Sequence, residues 1–138
     1  MNRLTFVLII FTLFNLNSFL KAQTPVQVAG TPDITATQSG NWSDPTTWGG
    51  SVPQNDNRIL IPANITVTVD GMISQSFKSV RIATSGKLQY ATDVNTELKT
   101  EFLVSEMGGA LEVGNSVNSI DPNVTASLAF ARHLYWLI

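Results

Sequence analysis

The strongest constraint on this chain is a spacing. Short apolar segments recur along it, and when they are laid over one another their residues fall into columns. Ile61, Ile82 and Val104 stand roughly 21 to 22 residues apart; Val67, Leu88 and Leu111 match within a residue or two, as do Val69, Tyr90 and Val113. An interval of this size is expected when one small unit repeats and stacks, each copy covering the apolar face that its neighbour would leave wet. The segments are Ile59-Leu60-Ile61, Ile65-Thr66-Val67-Thr68-Val69, Val80-Arg81-Ile82, Lys87-Leu88-Gln89-Tyr90, Phe102-Leu103-Val104, Ala110-Leu111-Glu112-Val113 and Ala126-Ser127-Leu128-Ala129-Phe130. They are short, alternating and rich in β-branched and aromatic residues, so they read as strands.

A strand period of two assigns the faces. Ile65, Val67, Val69, Leu88, Tyr90, Leu111, Val113, Leu128 and Phe130 point inward, while Thr66, Thr68, Lys87, Gln89 and Glu112 point out. Glycines fall where corners are needed: Gly86 and the Gly108-Gly109 pair at one turn, Gly71 and Gly114 after the second strand of a coil. The expected fold is all-β, a short right-handed parallel β-helix of about three to four coils. An antiparallel β-sandwich is the alternative; it has strands of similar length but gives no reason for residues to match coil by coil.

A solenoid needs its ends covered, because raw strand edges and open apolar columns invite aggregation. The stretch Asn41-Trp42-Ser43-Asp44-Pro45-Thr46-Thr47-Trp48-Gly49-Gly50-Ser51-Val52-Pro53 precedes the first strong strand. Asp-Pro between two indoles, with Gly49, Gly50 and Pro53 behind, cannot continue a helix and fits a folded loop. Trp42 and Trp48 are therefore assigned to a cap over the first end.

Residues 1–22 have the layout of a secretory signal peptide: a basic start at Arg3, an apolar run over 4–16, then small and polar residues up to a cleavage point after Ala22. The apolar run is too short to span a bilayer comfortably, so the membrane is met only in transit through the signal peptide. Residues 23–40, with Pro25, Gly30 and Pro32, read as a lead-in with room for one edge strand; 41–131 form the β domain. Residues 132–138, Arg132-His133-Leu134-Tyr135-Trp136-Leu137-Ile138, make an atypical tail. The expectation is that the chain is the N-terminal piece of a longer solenoid, the alternative being a tail that folds back as a last strand.

Removing Arg3 and Lys21 leaves six basic residues against ten acidic ones and moves the formal charge from −2 to −4. An acidic surface without a basic cluster argues against nucleic acid as a partner, and against an electrostatic grip on a polyanionic glycan. The absence of cysteine rules out disulfides and a lipid anchor on Cys, which for an exported chain leans toward a bacterial source. Asn41, Asn64 and Asn123 head N-glycosylation triplets, which arise often by chance in an Asn- and Thr-rich chain.

No complete catalytic site is legible, and no metal or cofactor is expected. Asp70 closes a strand beside Gly71 and either holds a cation or sugar hydroxyl or caps a turn. Glu112 shares an outward column with Gln89 and Thr68; positions two coils apart lie about 10 Å from each other, at or beyond the limit for a pair of glycosidase carboxylates. Lys87, the one outward base near Glu112, reads as its salt-bridge partner rather than as the base of a β-elimination. A single histidine, His133, without any cysteine disfavours a zinc site. The candidate ligand-binding residues are thus Trp42, Trp48, Asp70, Gln89 and Glu112, the two indoles either stacking on sugar rings or serving only as the cap.

Trp42-Ser43-Asp44-Pro45-Thr46-Thr47-Trp48-Gly49-Gly50, Val52-Pro53, Ile59-Leu60-Ile61-Pro62, Val67-Thr68-Val69-Asp70, Gly86-Lys87-Leu88 and Gly109-Ala110-Leu111-Glu112-Val113-Gly114 together resemble the eight-glycine (G-eight) domain. The likeness runs from about Asn41 to about Phe130. That family includes modules of fibrocystin, of the hyaluronan-processing cell-migration-inducing proteins and of secreted bacterial proteins. The resemblance implies a β-rich extracellular module with a part in ligand binding or polysaccharide processing; it supplies no catalytic residues to carry over. After Ile120-Asp121-Pro122 the family's last glycine-bearing strand is replaced by residues 131–138. Three roles follow as expectations: a secreted or cell-surface module touching carbohydrate or neighbouring domains, the N-terminal part of a polysaccharide-degrading enzyme, or an adhesin-like spacer.

Overall fold

The computed structural model describes residues 29–131; the signal-peptide segment 1–22, residues 23–28 of the lead-in and the tail 132–138 with His133 lie outside the described residues. The strands form two sheets. One contains, in order, β1 (Ile34–Thr35), β3 (Arg58–Ile61), β5 (Met72–Ile82), β7 (Thr96–Ser105) and β9 (Ala126–Phe130). The other contains β2 (Gly40–Asn41), β4 (Thr66–Val69), β6 (Lys87–Tyr90) and β8 (Ala110–Glu112). All pairings are parallel, and consecutive strands alternate between sheets, so the chain advances one strand per sheet per turn. This is the expected β-solenoid, with three turns (β3–β4, β5–β6 and β7–β8) between the short pair β1–β2 and β9. Parallel pairing throughout excludes the antiparallel sandwich.

The columns predicted from spacing exist. Ile59 stacks on Val80 and Val80 on Leu103; Val67, Leu88 and Leu111 are in register, as are Val69 and Tyr90. Their middle members are fully enclosed, Ile61, Val67, Val69, Val80, Ile82 and Leu88 all at 0% exposure. The outward set Thr66, Thr68, Lys87, Gln89 and Glu112 is half-buried along the opposite face of the second sheet.

One column requires correction. Val104 pairs with Arg81, and it is Ser105 that pairs with Ile82, so Leu103 rather than Val104 occupies the inward position. A one-residue slip exchanges the faces of a strand. The cause lies upstream, where the corner at residues 91–95 is longer than its counterpart in the preceding turn. Met72 pairs with Glu97 but Ser76 with Lys99, so β5 absorbs part of that length as an irregularity between Met72 and Ser76.

The glycine corner between the sheets has a steric basis. A Cβ on Gly86 would lie 2.8 Å from the Pro62 carbonyl oxygen and 2.9 Å from that of Ile61. One turn later, a Cβ on Gly109 would lie 2.9 Å from the carbonyl oxygens of both Ala83 and Ile82. The backbone of the preceding turn leaves no room for a Cβ here, and only a residue without a side chain fits. Gly71 differs: a Cβ there would meet nothing within 4 Å, so crowding does not require glycine at that corner.

Candidate ligand-binding site

The Trp loop is built from local hydrogen bonds upward. The Asp44 carboxylate accepts from the Thr46 backbone N–H at 2.9 Å and from its hydroxyl at 2.8 Å, bonds that hold the carboxyl below its usual pKa. This caps a single 3₁₀ turn, Pro45–Trp48, which opens on proline and closes on Gly49 in the left-handed conformation. The turn seats Thr47 over Gly40, where any Cβ would collide with the Thr47 hydroxyl. Trp42 donates its backbone N–H to the Thr68 carbonyl at 2.7 Å, extending the β2–β4 ladder by one residue and placing its ring at the head of the Val69 and Tyr90 column.

Trp48 then donates its indole N–H to the Trp42 carbonyl at 2.8 Å. The two rings meet edge to face with centroids 5.0 Å apart, and Trp42 lies 5.2 Å from Phe77. At 2% and 4% exposure, neither indole presents a free ring face, and of the two roles open from sequence, stacking on a sugar or capping the end, the packing of Trp42 and Trp48 is that of a cap.

The three polar candidates lie on the second sheet. Asp70, at the end of β4, accepts the Ser43 N–H at 3.0 Å on one oxygen and the Ser43 hydroxyl on the other. Its turn-capping function thus acts between coils, tying the Trp loop to the turn that follows. Gln89 and Glu112 are neighbours in one outward ladder with Thr68. Gln89 donates to the Thr68 hydroxyl at 3.0 Å; Glu112 accepts from Lys87 at 3.1 Å and from Asn115 at 2.8 Å, and these bonds lower its pKa. The structure therefore brings Gln89 and Glu112 together, leaves Asp70 at the ladder's margin and buries the indoles. Each polar group is engaged by a neighbour within the fold.

A further feature lies where β5 begins. The irregular start of that strand opens a depression of about 240 Å³ between it and the Trp loop, lined by Trp42, Ser43, Val52, Pro53, Met72, Ile73, Ser74 and Gln75. No lining residue carries a charge. Met72 stands 61% exposed at its rim, and the Asp70–Ser43 bonds fix the opposite side. Strand irregularities of this kind re-aim side chains and recur beside binding sites. Residues 72–76 escape the sequence reading because they belong to no apolar column. The polar run Ser74-Gln75-Ser76 inside an otherwise strand-forming stretch is the only signal they leave.

Among the described residues, no group of three or more His, Asp or Glu side chains is placed to hold a metal ion. None of their helices is long and apolar enough to cross a membrane.

A family model described as the G8 domain matches residues 47–132, more than half of the chain. No curated protein and no solved structure matches it.

Proposed function

This chain belongs to the G8 domain family, and from that premise we propose that it is a secreted or cell-surface module that binds carbohydrate without catalysing its cleavage. The observation that carries the reading is the uncharged depression beside the Trp loop. It offers a hydroxyl, an amide, a thioether and a proline ring on a rigid, capped frame. A sugar presents the complementary mixture of hydroxyls and C–H faces. Export through residues 1–22 and a bacterial source fit the same reading.

The arrangement of acids and bases supports binding over hydrolysis. Glu112 is held by Lys87 and Asn115, Asp70 by Ser43, and Asp44 by Thr46, each in a role the fold itself uses. A general acid and its partner need free carboxyls across a substrate site. A glycan array probed with the wild type and with Gln75→Ala tests the proposal. Binding that weakens by roughly threefold to tenfold on substitution, with an unchanged melting temperature, is the expected result. No binding to any glycan favours a spacer role, and shortening of a bound polysaccharide favours an enzyme.

A further inference from the structure

The two outer edges of the first sheet differ in how they are defended. At the Trp end the sheet closes on β1, only two residues long and preceded by Pro32 and Asp33, features that keep a strand edge from pairing with another chain. At the other end it closes on β9, and among the described residues no strand pairs with its outer side. The stretch Thr125–Ala131 holds no charge, no proline and no glycine. The first sheet has five strands and the second four, so β9 also stands one strand beyond β8, with Phe130 57% exposed. Its backbone has a definite aim. The Thr125 carbonyl accepts the Thr96 N–H, and the Ala131 N–H donates to the Thr100 carbonyl, so the odd-numbered residues turn their backbone groups toward β7. Strand alternation leaves the N–H and C=O groups of Ala126, Leu128 and Phe130 at the open edge.

We infer that β9 pairs with β9 of a second copy of this chain, antiparallel about a two-fold axis through Leu128, joining the first sheets of two solenoids into one. The register follows from the edge. Leu128 meets its own counterpart and Ala126 meets Phe130, each pair exchanging two backbone hydrogen bonds, about six in all. On the inward face this sets a large side chain against a small one. On the outward face Glu97 lies beside Ser127 and Lys99 beside Ala129, so the pairing puts Glu97 of one protomer in the same row as Lys99 of its partner, charges of opposite sign. The blocked β1 edge stops growth at the dimer. A five-residue strand pair falls short of the roughly 1,200 Å² at which standard interfaces begin, so the dimer is weak, with a dissociation constant on the order of 10–100 µM.

Sedimentation of the full chain from about 1 µM to about 1 mM brackets that constant and tests the association. Single cysteines test the register, in a chain that has none of its own. The expected result is a concentration-dependent dimer and no larger species. Under mild oxidation Leu128→Cys should give a disulfide-linked dimer, since residues opposed in a hydrogen-bonded pair lie about 5.5 Å apart at Cα. Phe130→Cys should not, because the two-fold sets its copies four residues apart along the strand, about 14 Å. Ala126→Pro, which removes an N–H from the open edge alone, should weaken dimerisation at least about tenfold with an unchanged melting temperature in dilute solution. A monomer at every concentration overturns the inference, and if deletion of residues 132–138 then lets the dimer form, that segment is the occupant of the edge. Cross-linking at Phe130 as readily as at Leu128 overturns the Leu128 axis, and growth beyond the dimer overturns the two-fold pairing.

Discussion

The two ends of the solenoid are made from the same columns and have opposite fates. At the first end the Val69 and Tyr90 column runs into Trp42, which Trp48 and Phe77 enclose to 2% exposure. At the other end, Leu111, Val113 and Phe130 occupy inward positions of the last described turn and remain 40%, 44% and 57% exposed. The difference is not one of sequence chemistry, since all are apolar residues facing the axis. It shows that in a solenoid the alternation of a strand sets direction, and only the neighbouring turn or cap confers burial.

The largest expected effect breaks the protected end. Trp42→Ala removes a ring packed against two others and should lower stability by about 3–5 kcal/mol. Leu111→Ala removes a side chain already partly in water and should cost about 1 kcal/mol or less. Urea denaturation of the two variants beside the wild type measures both. If Leu111→Ala proves as costly as Leu88→Ala, the last turn is covered in solution and the contrast between the ends is lost.

The contrast also shows what could be read in advance. The seven apolar segments all became strands, and the Val67–Leu88–Leu111 column was legible because its two intervals differ by an even number of residues. The third turn of the first sheet was misread because its extra length enters at residues 91–95, outside any apolar segment. The lead-in, read with room for one edge strand, holds β1, while β2 at Gly40–Asn41 left no sign, since a partial turn has too few residues to establish a period. The site was less legible than the fold. Aromatic and charged residues drew attention, yet Trp42 and Trp48 serve packing, and Glu112 and Asp70 serve inter-coil ties. The depression beside the Trp loop lies instead at a strand irregularity, which no apolar column records.

Tyr90 sharpens the comparison from the middle of a column. Its hydroxyl is buried without a partner, and burial pushes its pKa up to about 12. The folded chain keeps this proton through a range in which the unfolded chain, near the ordinary value of 10, releases it. The associated stability is therefore fully present below about pH 10 and is lost as pH rises through about 12. Tyr90→Phe should abolish this alkaline loss and, by deleting an unsatisfied hydroxyl, leave neutral stability unchanged or raised by about 1 kcal/mol. Chemical denaturation of both proteins across the alkaline range separates the tyrosine from the lysines, which titrate in each.

The smallest effects compare the ends through their carboxylates. Asp44 at the first end is lowered by bonds from the neutral groups of Thr46, and Glu112 at the other is lowered first by Lys87 and then by Asn115. For both, the folded pKa lies below the unfolded one, so the stability they contribute is present above the ordinary carboxylate range and fades as pH falls through the lowered value. Asp44→Asn and Glu112→Gln should each flatten the acid limb slightly. Salt should distinguish them: it screens the half-exposed Lys87–Glu112 ion pair but leaves the backbone and hydroxyl bonds of Asp44 largely intact. Raising ionic strength should therefore erase most of the difference between the wild type and Glu112→Gln while preserving that for Asp44→Asn. Equal loss at both sites would mean that the cap, like the far end, is held by charge rather than by directed hydrogen bonds.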